Sequence, residues 1–163
     1  GGSNRYWLGR SKEKSDTVEQ TLEEERSAGL FDPKKWMDFA NRAKASIDGL
    51  EKWLIERKKS GGIVVGYGAA HKGNTFLNAV GESSKTLKYV VDASGEKQGK
   101  FLPGSQIPVL EPEKLSSADP TDVLILPWNI AEELADRIRS LAPKARIWVA
   151  QPSLRELQGT KLC

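Results

Sequence analysis

The stretch that decides the fold is Ile63-Val64-Val65-Gly66-Tyr67-Gly68-Ala69-Ala70-His71-Lys72-Gly73-Asn74-Thr75. It begins with a short β-branched apolar run, which is typical of a buried strand. The glycines that follow permit a tight turn and a close approach of the backbone to a neighbour. A helix is predicted after Gly73, and the first amide groups of a helix are free to bind an anion. The stretch therefore predicts a strand, a turn and a helix start suited to a phosphate or pyrophosphate.

Four more apolar runs follow, at residues 87–91, 107–109, 123–126 and 147–149. Helical stretches separate them, and the strongest of these covers residues 130–142. Short, nearly continuous apolar strands that alternate with helices are typical of a parallel sheet covered on both faces. The predicted fold class is α/β, with a Rossmann-like five-stranded parallel sheet in the order 3-2-1-4-5.

A two-helix segment is predicted ahead of this sheet. Ser15 and Asp16 are suited to cap a first helix, and Asp32-Pro33 is a start signal for a second, long helix that Gly61-Gly62 ends. The long helix carries an apolar stripe at spacings of three and four, made of Trp36, Ala40, Ala43, Ile47, Leu50 and Leu54. We interpret the stripe as a face packed on the following domain or on a missing neighbour, with a coiled coil as the alternative.

Residues 1–10 predict one strand without a visible partner. An isolated strand cannot satisfy its own backbone, so its sheet is expected to lie outside this chain. The chain does not begin with methionine, and its single methionine is Met37. We therefore expect this chain to be a piece of something longer.

The composition excludes several classes of protein. The chain has 163 residues, of which 38% are hydrophobic and 29% charged, as in a soluble globular domain. Its 25 basic and 22 acidic residues are interspersed, which disfavours nucleic acid as a partner. One cysteine, Cys163, and one histidine, His71, exclude a disulfide framework and disfavour a metal centre. The apolar runs are too short for a membrane span and no signal peptide opens the chain, so the expected compartment is the cytoplasm.

The glycine stretch leaves two interpretations open. It is an incomplete dinucleotide-binding motif, because His71 occupies the place of the third glycine, and it also fits a purely structural turn. Lys72 is placed to balance phosphate charge, or it is a solvated surface lysine. His71 is a candidate proton shuttle, although a lone histidine more often packs or forms a hydrogen bond.

Two further regions are expected at the same edge of the sheet. Asp92 ends the second strand at the spacing of a ribose-binding carboxylate, with a helix or turn cap as the alternative, and a donor-rich loop follows it at residues 96–104. Trp128 and Asn129 end the fourth strand and should face the glycine loop, where Trp128 would stack on a base or sugar ring. Asn129 also fits a capping box with Glu132. No nucleophile elbow, carboxylate pair or Cys/His pair is present, so the sequence predicts a binding crevice without a reaction centre.

Taken together, these blocks resemble the C-terminal domain of S-adenosylmethionine-dependent sugar C-methyltransferases, which place a methyl branch on nucleotide-linked deoxysugars. The resemblance follows family order over nearly the whole chain. Besides the helical stretch, it rests on Gly1-Gly2-Ser3 with Arg5, Val65-Gly66-Tyr67-Gly68-Ala69-Ala70, Lys72-Gly73-Asn74-Thr75, Tyr89-Val90-Val91-Asp92, Lys97-Gln98-Gly99, Leu102-Pro103-Gly104, Ile107-Pro108 and Leu126-Pro127-Trp128-Asn129. His71 departs from the small residue usual at its place, and Ala93-Ser94-Gly95 departs from a turn of Arg-Asn-Pro type.

The resemblance implies that zinc, S-adenosylmethionine and the catalytic bases belong to a missing upstream part, with no cofactor and no catalytic residue in this chain. Residues 1–60 would then link to the upstream methyltransferase domain, and residues 61–163 would form a domain that binds a nucleotide-diphosphate keto-sugar. The oligomeric state is left open, and a homodimer is one alternative. The implied substrate-binding residues are Gly66, Tyr67, Gly68, Ala69, Ala70, His71, Lys72, Asn74, Thr75, Asp92, Lys97, Gln98, Trp128 and Asn129.

Two other functions compete with this one. The chain could be a stand-alone binding or regulatory module for a nucleotide or nucleotide sugar. A nicotinamide-dependent oxidoreductase would rest on the incomplete glycine motif and Asp92.

Overall fold

The computed structural model describes residues 5–10 and 15–158. The chain divides after Lys44 into two compact units. The first unit contains α1 (Asp16–Ser27) and the beginning of α2 (Pro33–Lys59). The second unit contains the rest of α2 and the complete sheet with its other helices.

The predicted N-terminal strand does not form in the described part of residues 1–10. Residues 5–10 are exposed and carry no strand structure, and residues 1–4 lie outside the described residues. None of the described strands pairs with this segment, so the described sheet does not extend to it. The apolar side chains of Trp7 and Leu8 alone do not make a strand.

The two helices begin close to where the sequence places them. Ser15 occupies the N-cap position of α1, although its side chain makes no capping hydrogen bond. The Asp32 carboxylate accepts a hydrogen bond from the Lys34 backbone N–H at 2.9 Å, so the predicted start of α2 is confirmed. The apolar stripe of α2 is buried only toward its C-terminal end, at Leu50, Trp53 and Leu54.

Gly49 lies inside α2, and a Cβ atom built on it meets no other atom within 4 Å. Replacing Gly49 with alanine should raise the free energy of unfolding by about 0.5–1 kcal/mol, because alanine loses less backbone entropy in a helix. Urea denaturation should show a higher midpoint at an unchanged slope. Gly61→Ala is the opposite control, since Gly61 also has open space but a φ of +72° that disfavours alanine. A midpoint that falls for Gly49→Ala would contradict the prediction.

The sheet has six strands, in the order β3-β2-β1-β4-β5-β6. The strands are β1 (Val64–Tyr67), β2 (Leu87–Val91), β3 (Val109–Leu110), β4 (Asp122–Ile125), β5 (Arg146–Val149) and β6 (Arg155–Glu156).

The first five strands are parallel to one another, and β6 pairs with β5 in the antiparallel direction. The sheet is therefore mixed, and the prediction of a wholly parallel five-stranded sheet is wrong in this respect. The reason is that β6 consists of two exposed charged residues, Arg155 and Glu156, which carry no apolar pattern.

Helices cover both faces of the sheet. α2 and α3 (His71–Val80) pack on one face, with Leu54 and Leu77 in the core. α4 (Lys114–Ala118) and α5 (Ala131–Leu141) pack on the other face, with Leu115 and Ile138 in the core. Because β1 and β4 are buried on both faces, their sequences are nearly continuous apolar runs. The exception is the buried Asp122 at the start of β4, which pairs with Arg146. No helix within the described residues is long and apolar enough to cross a membrane.

Candidate functional site

A cavity of about 320 Å³ opens beside the connections that follow β1 and β2. Ala69, Ala70, His71 and Asn74 line it from the start of α3. The long loop at residues 96–103 lines it from the opposite direction. The cavity therefore lies beside the predicted turn after β1, on the side of β2, and not in the expected crevice between the glycine loop and Trp128-Asn129.

The glycines of the β1–α3 connection are required by contacts within the protein. Gly68 has a φ of +85°, and a Cβ atom at this position would lie 2.6 Å from Cδ of Pro127. A Cβ atom on Gly73 would lie 2.6 Å from Cβ of Leu126. Both distances are far below van der Waals contact, so these glycines allow the connection to pack against the chain that follows β4. Gly66 lies inside β1, where a Cβ atom would be 2.7 Å from Val90.

Most backbone N–H groups of the β1–α3 turn already donate hydrogen bonds within the protein. The backbone N–H of Gly68 donates to the Val91 carbonyl at 2.7 Å, and that of Ala70 donates to the Gly68 carbonyl at 2.8 Å. The Ala69 N–H donates to Asp92 Oδ2 at 2.6 Å. Ala70, at the N-cap of α3, offers no side-chain acceptor, so the first turn of the helix carries no side-chain cap. The amides that can meet a ligand are those of this first turn.

Asp92 links the loops that follow β1 and β2. Its Oδ1 atom accepts a hydrogen bond from the Ser94 N–H at 2.8 Å, while Oδ2 accepts from Ala69 and, at 3.1 Å, from Lys97 Nζ. Burial alone would raise the pKa of Asp92, but these hydrogen bonds and the Lys97 charge outweigh burial and hold the pKa below its usual value of 3.8. The contact from the Ser94 N–H to Oδ1 fits the turn-cap alternative, and the ribose contact stays a prediction.

Lys97 and Gln98, in the loop after Asp92, have different roles. Lys97 Nζ also donates to the Ala69 carbonyl at 3.1 Å, and the lysine side chain remains 42% exposed and lines the cavity. Gln98 Nε2 donates to the Asp92 carbonyl at 2.9 Å and does not line the cavity. Lys97 can therefore meet a ligand, whereas Gln98 shapes the loop.

Lys72 turns toward the chain after β4. Its Nζ atom donates a hydrogen bond to Asn129 Oδ1 and lies 4.8 Å from the centroid of the Trp128 ring. Trp128 also makes an edge contact with Phe76, at 6.3 Å between centroids. Lys72, Trp128 and Asn129 thus come together as expected across the crevice, but they do not line the cavity.

The predicted capping box of Asn129 and Glu132 is wrong. The N-cap residue of α5 is Ile130, and no side chain caps this helix. Asn129 lies in a short 3₁₀ turn, and its side-chain oxygen accepts from Lys72 instead.

Comparison with known proteins identifies the family of the chain. The family described as the C-methyltransferase C-terminal domain matches residues 1–151. The chain belongs to this family. A curated relative, C-methyltransferase NovU of Streptomyces niveus, is 37% identical over 122 residues, which cover 73% of this chain and 28% of NovU. The resemblance inferred from the sequence is confirmed, and the chain matches little more than a quarter of the length of this relative.

Nine of the fourteen expected binding residues of this C-methyltransferase C-terminal domain do not line the cavity, and Tyr67 and Thr75 are two of them. Tyr67 is 3% exposed inside the core, and burial raises the pKa of its hydroxyl. Thr75 Oγ1 donates to the His71 carbonyl at 3.1 Å within α3. Neither side chain lines the cavity. The nicotinamide alternative loses its main support, because Asp92 is engaged and the family is a methyltransferase family.

The sequence analysis singled out the loop at residues 96–104, but its candidate residues did not include Glu96, Lys100 and Phe101, which line the cavity. The phenyl ring of Phe101 is 64% exposed. An aromatic residue within a polar loop at a strand end was the available signal, because such loops commonly carry binding groups.

No three His, Cys, Asp or Glu side chains in residues 5–10 and 15–158 cluster closely enough to hold a metal ion. The zinc that the resemblance implies for an upstream part finds no candidate ligands in the described part of this C-methyltransferase C-terminal domain.

Proposed function

We propose that this chain holds the nucleotide-diphosphate keto-deoxysugar of an S-adenosylmethionine-dependent C-methyltransferase and is not catalytic alone. The observation that carries the proposal is the cavity beside α3, in which an uncapped helix start, two lysines and an exposed aromatic ring converge. Residues 61–163 would form the Rossmann-like binding domain, with residues 1–60 as the link to a catalytic part. We place the enzyme in the cytoplasm.

The charges around the cavity suit a diphosphate. The start of α3 carries the positive end of the helix dipole, and its uncapped amides are donors to an anion. Lys97 and Lys100 line the same cavity, where Glu96 is the one acidic lining residue. Lys97 is already paired with Asp92, so Lys100 and the start of α3 supply the uncompensated positive charge. The diphosphate is therefore expected between the first turn of α3 and the two lysines.

The ring of Phe101 suits the planar or ring-shaped part of the ligand. It lines the cavity and is largely exposed, so a base or sugar can stack on it without displacing a protein contact. Leu102 and Val109 supply buried apolar surface in the same wall. A pocket with apolar walls and a few placed polar groups is typical of a small-molecule site.

The remaining chemistry belongs to the longer enzyme. S-adenosylmethionine, bound outside this chain, would supply the methyl group. The residues of this chain bind the sugar nucleotide and orient it. NovU bears the name C-methyltransferase and is far longer than the matched stretch, which supports this division of labour.

Replacing Phe101 with alanine should weaken the binding of a nucleotide-diphosphate sugar about tenfold, because stacking on an aromatic ring is lost. Isothermal titration calorimetry measures the change. Phe31→Ala is the matched control, since Phe31 is 66% exposed and Phe101 is 64% exposed. The control should bind like the unchanged protein, and both variants should keep their thermal stability.

The proposal fails if no nucleotide-diphosphate sugar binds, or if Phe101→Ala and Phe31→Ala bind with equal affinity. The stand-alone module interpretation requires the same binding. Methyl transfer by the longer gene product, measured with the same sugar nucleotide, separates the two interpretations.

A further inference from the structure

A second cavity, of about 350 Å³, lies at the opposite end of β2 from the first. Lys85, Leu87 and Lys88 line it from the beginning of β2, and residues 105–108 line it from the turn ahead of β3. The two cavities share no lining residue. The ligand proposed above therefore does not explain the second cavity.

Three polar side chains in this cavity have no partner within the protein: Ser105 is buried, whereas Lys88 and Gln106 are exposed to solvent. Ser105 is only 9% exposed, and its buried Oγ atom makes no hydrogen bond. Among the described residues, the side chains of Lys88 and Gln106 also make no hydrogen bond or ion pair. A buried polar group without a partner is costly, so a hydroxyl left unpaired at the wall of a cavity points to a ligand or solvent partner.

The backbone beside this hydroxyl is strained. Gln106 has a φ of 56°, in the left-handed region that favours glycine. The turn is fixed by hydrogen bonds from the Gln106 N–H to the Leu102 carbonyl and from the Leu102 N–H to the Ile107 carbonyl, both at 2.9 Å. Strained residues that the surrounding structure holds in place concentrate at binding sites.

The charge of the cavity is positive. No acidic residue lines it, and of its two lysines only Lys85 has an acidic partner, Glu82 at 2.9 Å. Lys88 offers an uncompensated ammonium group, Ser105 a hydroxyl donor and Gln106 an amide donor. A compact ligand with several acceptor oxygens and negative charge satisfies all three groups.

We propose that this second cavity binds a small tetrahedral oxyanion of the phosphate type, held by Lys88, Ser105 and Gln106. This site is independent of the nucleotide-sugar cavity. It uses the ammonium group for charge and the hydroxyl and amide as donors.

The test is a titration of the ¹⁵N-labelled full chain with inorganic phosphate at constant ionic strength, followed by NMR. Saturable shifts are expected at residues 85–88 and 104–107. Lys88→Gln should weaken this binding at least about tenfold, and Ser105→Ala about fivefold, because a charge-assisted and a neutral hydrogen bond are lost. Lys114→Gln, an exposed lysine elsewhere in the same unit, should leave the affinity unchanged.

Ser105→Ala also controls for the possibility that weaker phosphate binding results from unfolding of the variant. Its removed hydroxyl has no partner, so the variant should be at least as stable as the unchanged protein. The proposal is overturned if the shifts do not saturate, if Lys88→Gln binds phosphate as the unchanged protein does, or if acetate at equal ionic strength produces the same saturable shifts. Phosphate shifts confined to the start of α3 and to Lys97 would overturn it too, while supporting the nucleotide-sugar site.

Discussion

Replacing Gly68 with alanine is expected to lower the free energy of unfolding by about 3 kcal/mol. Two costs add at this residue. The φ of +85° disfavours any side chain, and the new Cβ atom would lie 2.6 Å from Cδ and 2.8 Å from Cγ of Pro127. The proline ring is rigid, so it cannot turn away as a long side chain would.

Gly95→Ala is the matched control for this prediction. Gly95 belongs to the loop after β2, has open space around a built Cβ atom and lacks a left-handed φ. Its replacement should change stability by less than about 0.5 kcal/mol. Chemical denaturation of both variants measures the difference, and equal midpoints would show that the contact with Pro127 is not what requires Gly68.

The sequence predicted those parts of the fold that local pattern controls. The apolar run at residues 63–65 correctly indicated β1, and Asp32-Pro33 correctly indicated the start of α2. The helix expected after Gly73 begins earlier, at His71, and includes Gly73. Each signal acts within a few residues of the structure that it specifies. β6 was missed because Arg155 and Glu156 gain their strand structure only from the free edge of β5.

The candidate site was predictable as a region but not atom by atom. The turn after β1 was the right place, yet which amides remain free depends on Asp92, which lies 23 residues beyond the Ala69 amide that it accepts from. Likewise, Asn129 fits a capping box by spacing, but Lys72 takes its side-chain oxygen across 57 residues of sequence. A local sequence pattern does not show partners that are so distant in sequence. The sequence therefore predicted which part of the fold each residue belongs to better than which hydrogen bonds its side chain makes.

Replacing Asp92 with alanine is expected to lower the free energy of unfolding by about 3 kcal/mol at neutral pH. The carboxylate accepts from the N–H groups of Ala69 and Ser94 and from Lys97. Its removal leaves the Ala69 amide without its acceptor and leaves Lys97 with only the Ala69 carbonyl, so the link between the cavity wall and the β1–α3 turn is weakened. Nucleotide-sugar affinity should fall together with stability.

The contribution of Asp92 to the free energy of unfolding should decrease as the pH falls. Because the folded-state pKa of Asp92 lies below its usual value, the carboxylate contributes stability above about pH 4 and loses this contribution as the pH falls through the folded-state pKa. The Asp92→Ala variant has no carboxylate at this position, so it does not lose this contribution to stability as the pH falls. The difference in unfolding free energy between the two proteins should be largest at neutral pH and should narrow below about pH 4.

Asp136→Ala separates this effect from the general loss of a carboxylate. Asp136 pairs with Arg139 at 2.8 Å, but its side chain is 84% exposed, so its removal should cost less than about 0.5 kcal/mol at any pH. Denaturation of the three proteins at several pH values gives the comparison. If the Asp92→Ala difference stays constant from neutral to acidic pH, the ionised carboxylate is not what holds the two loops together, and the packing of the loop after β2 must carry the stability instead.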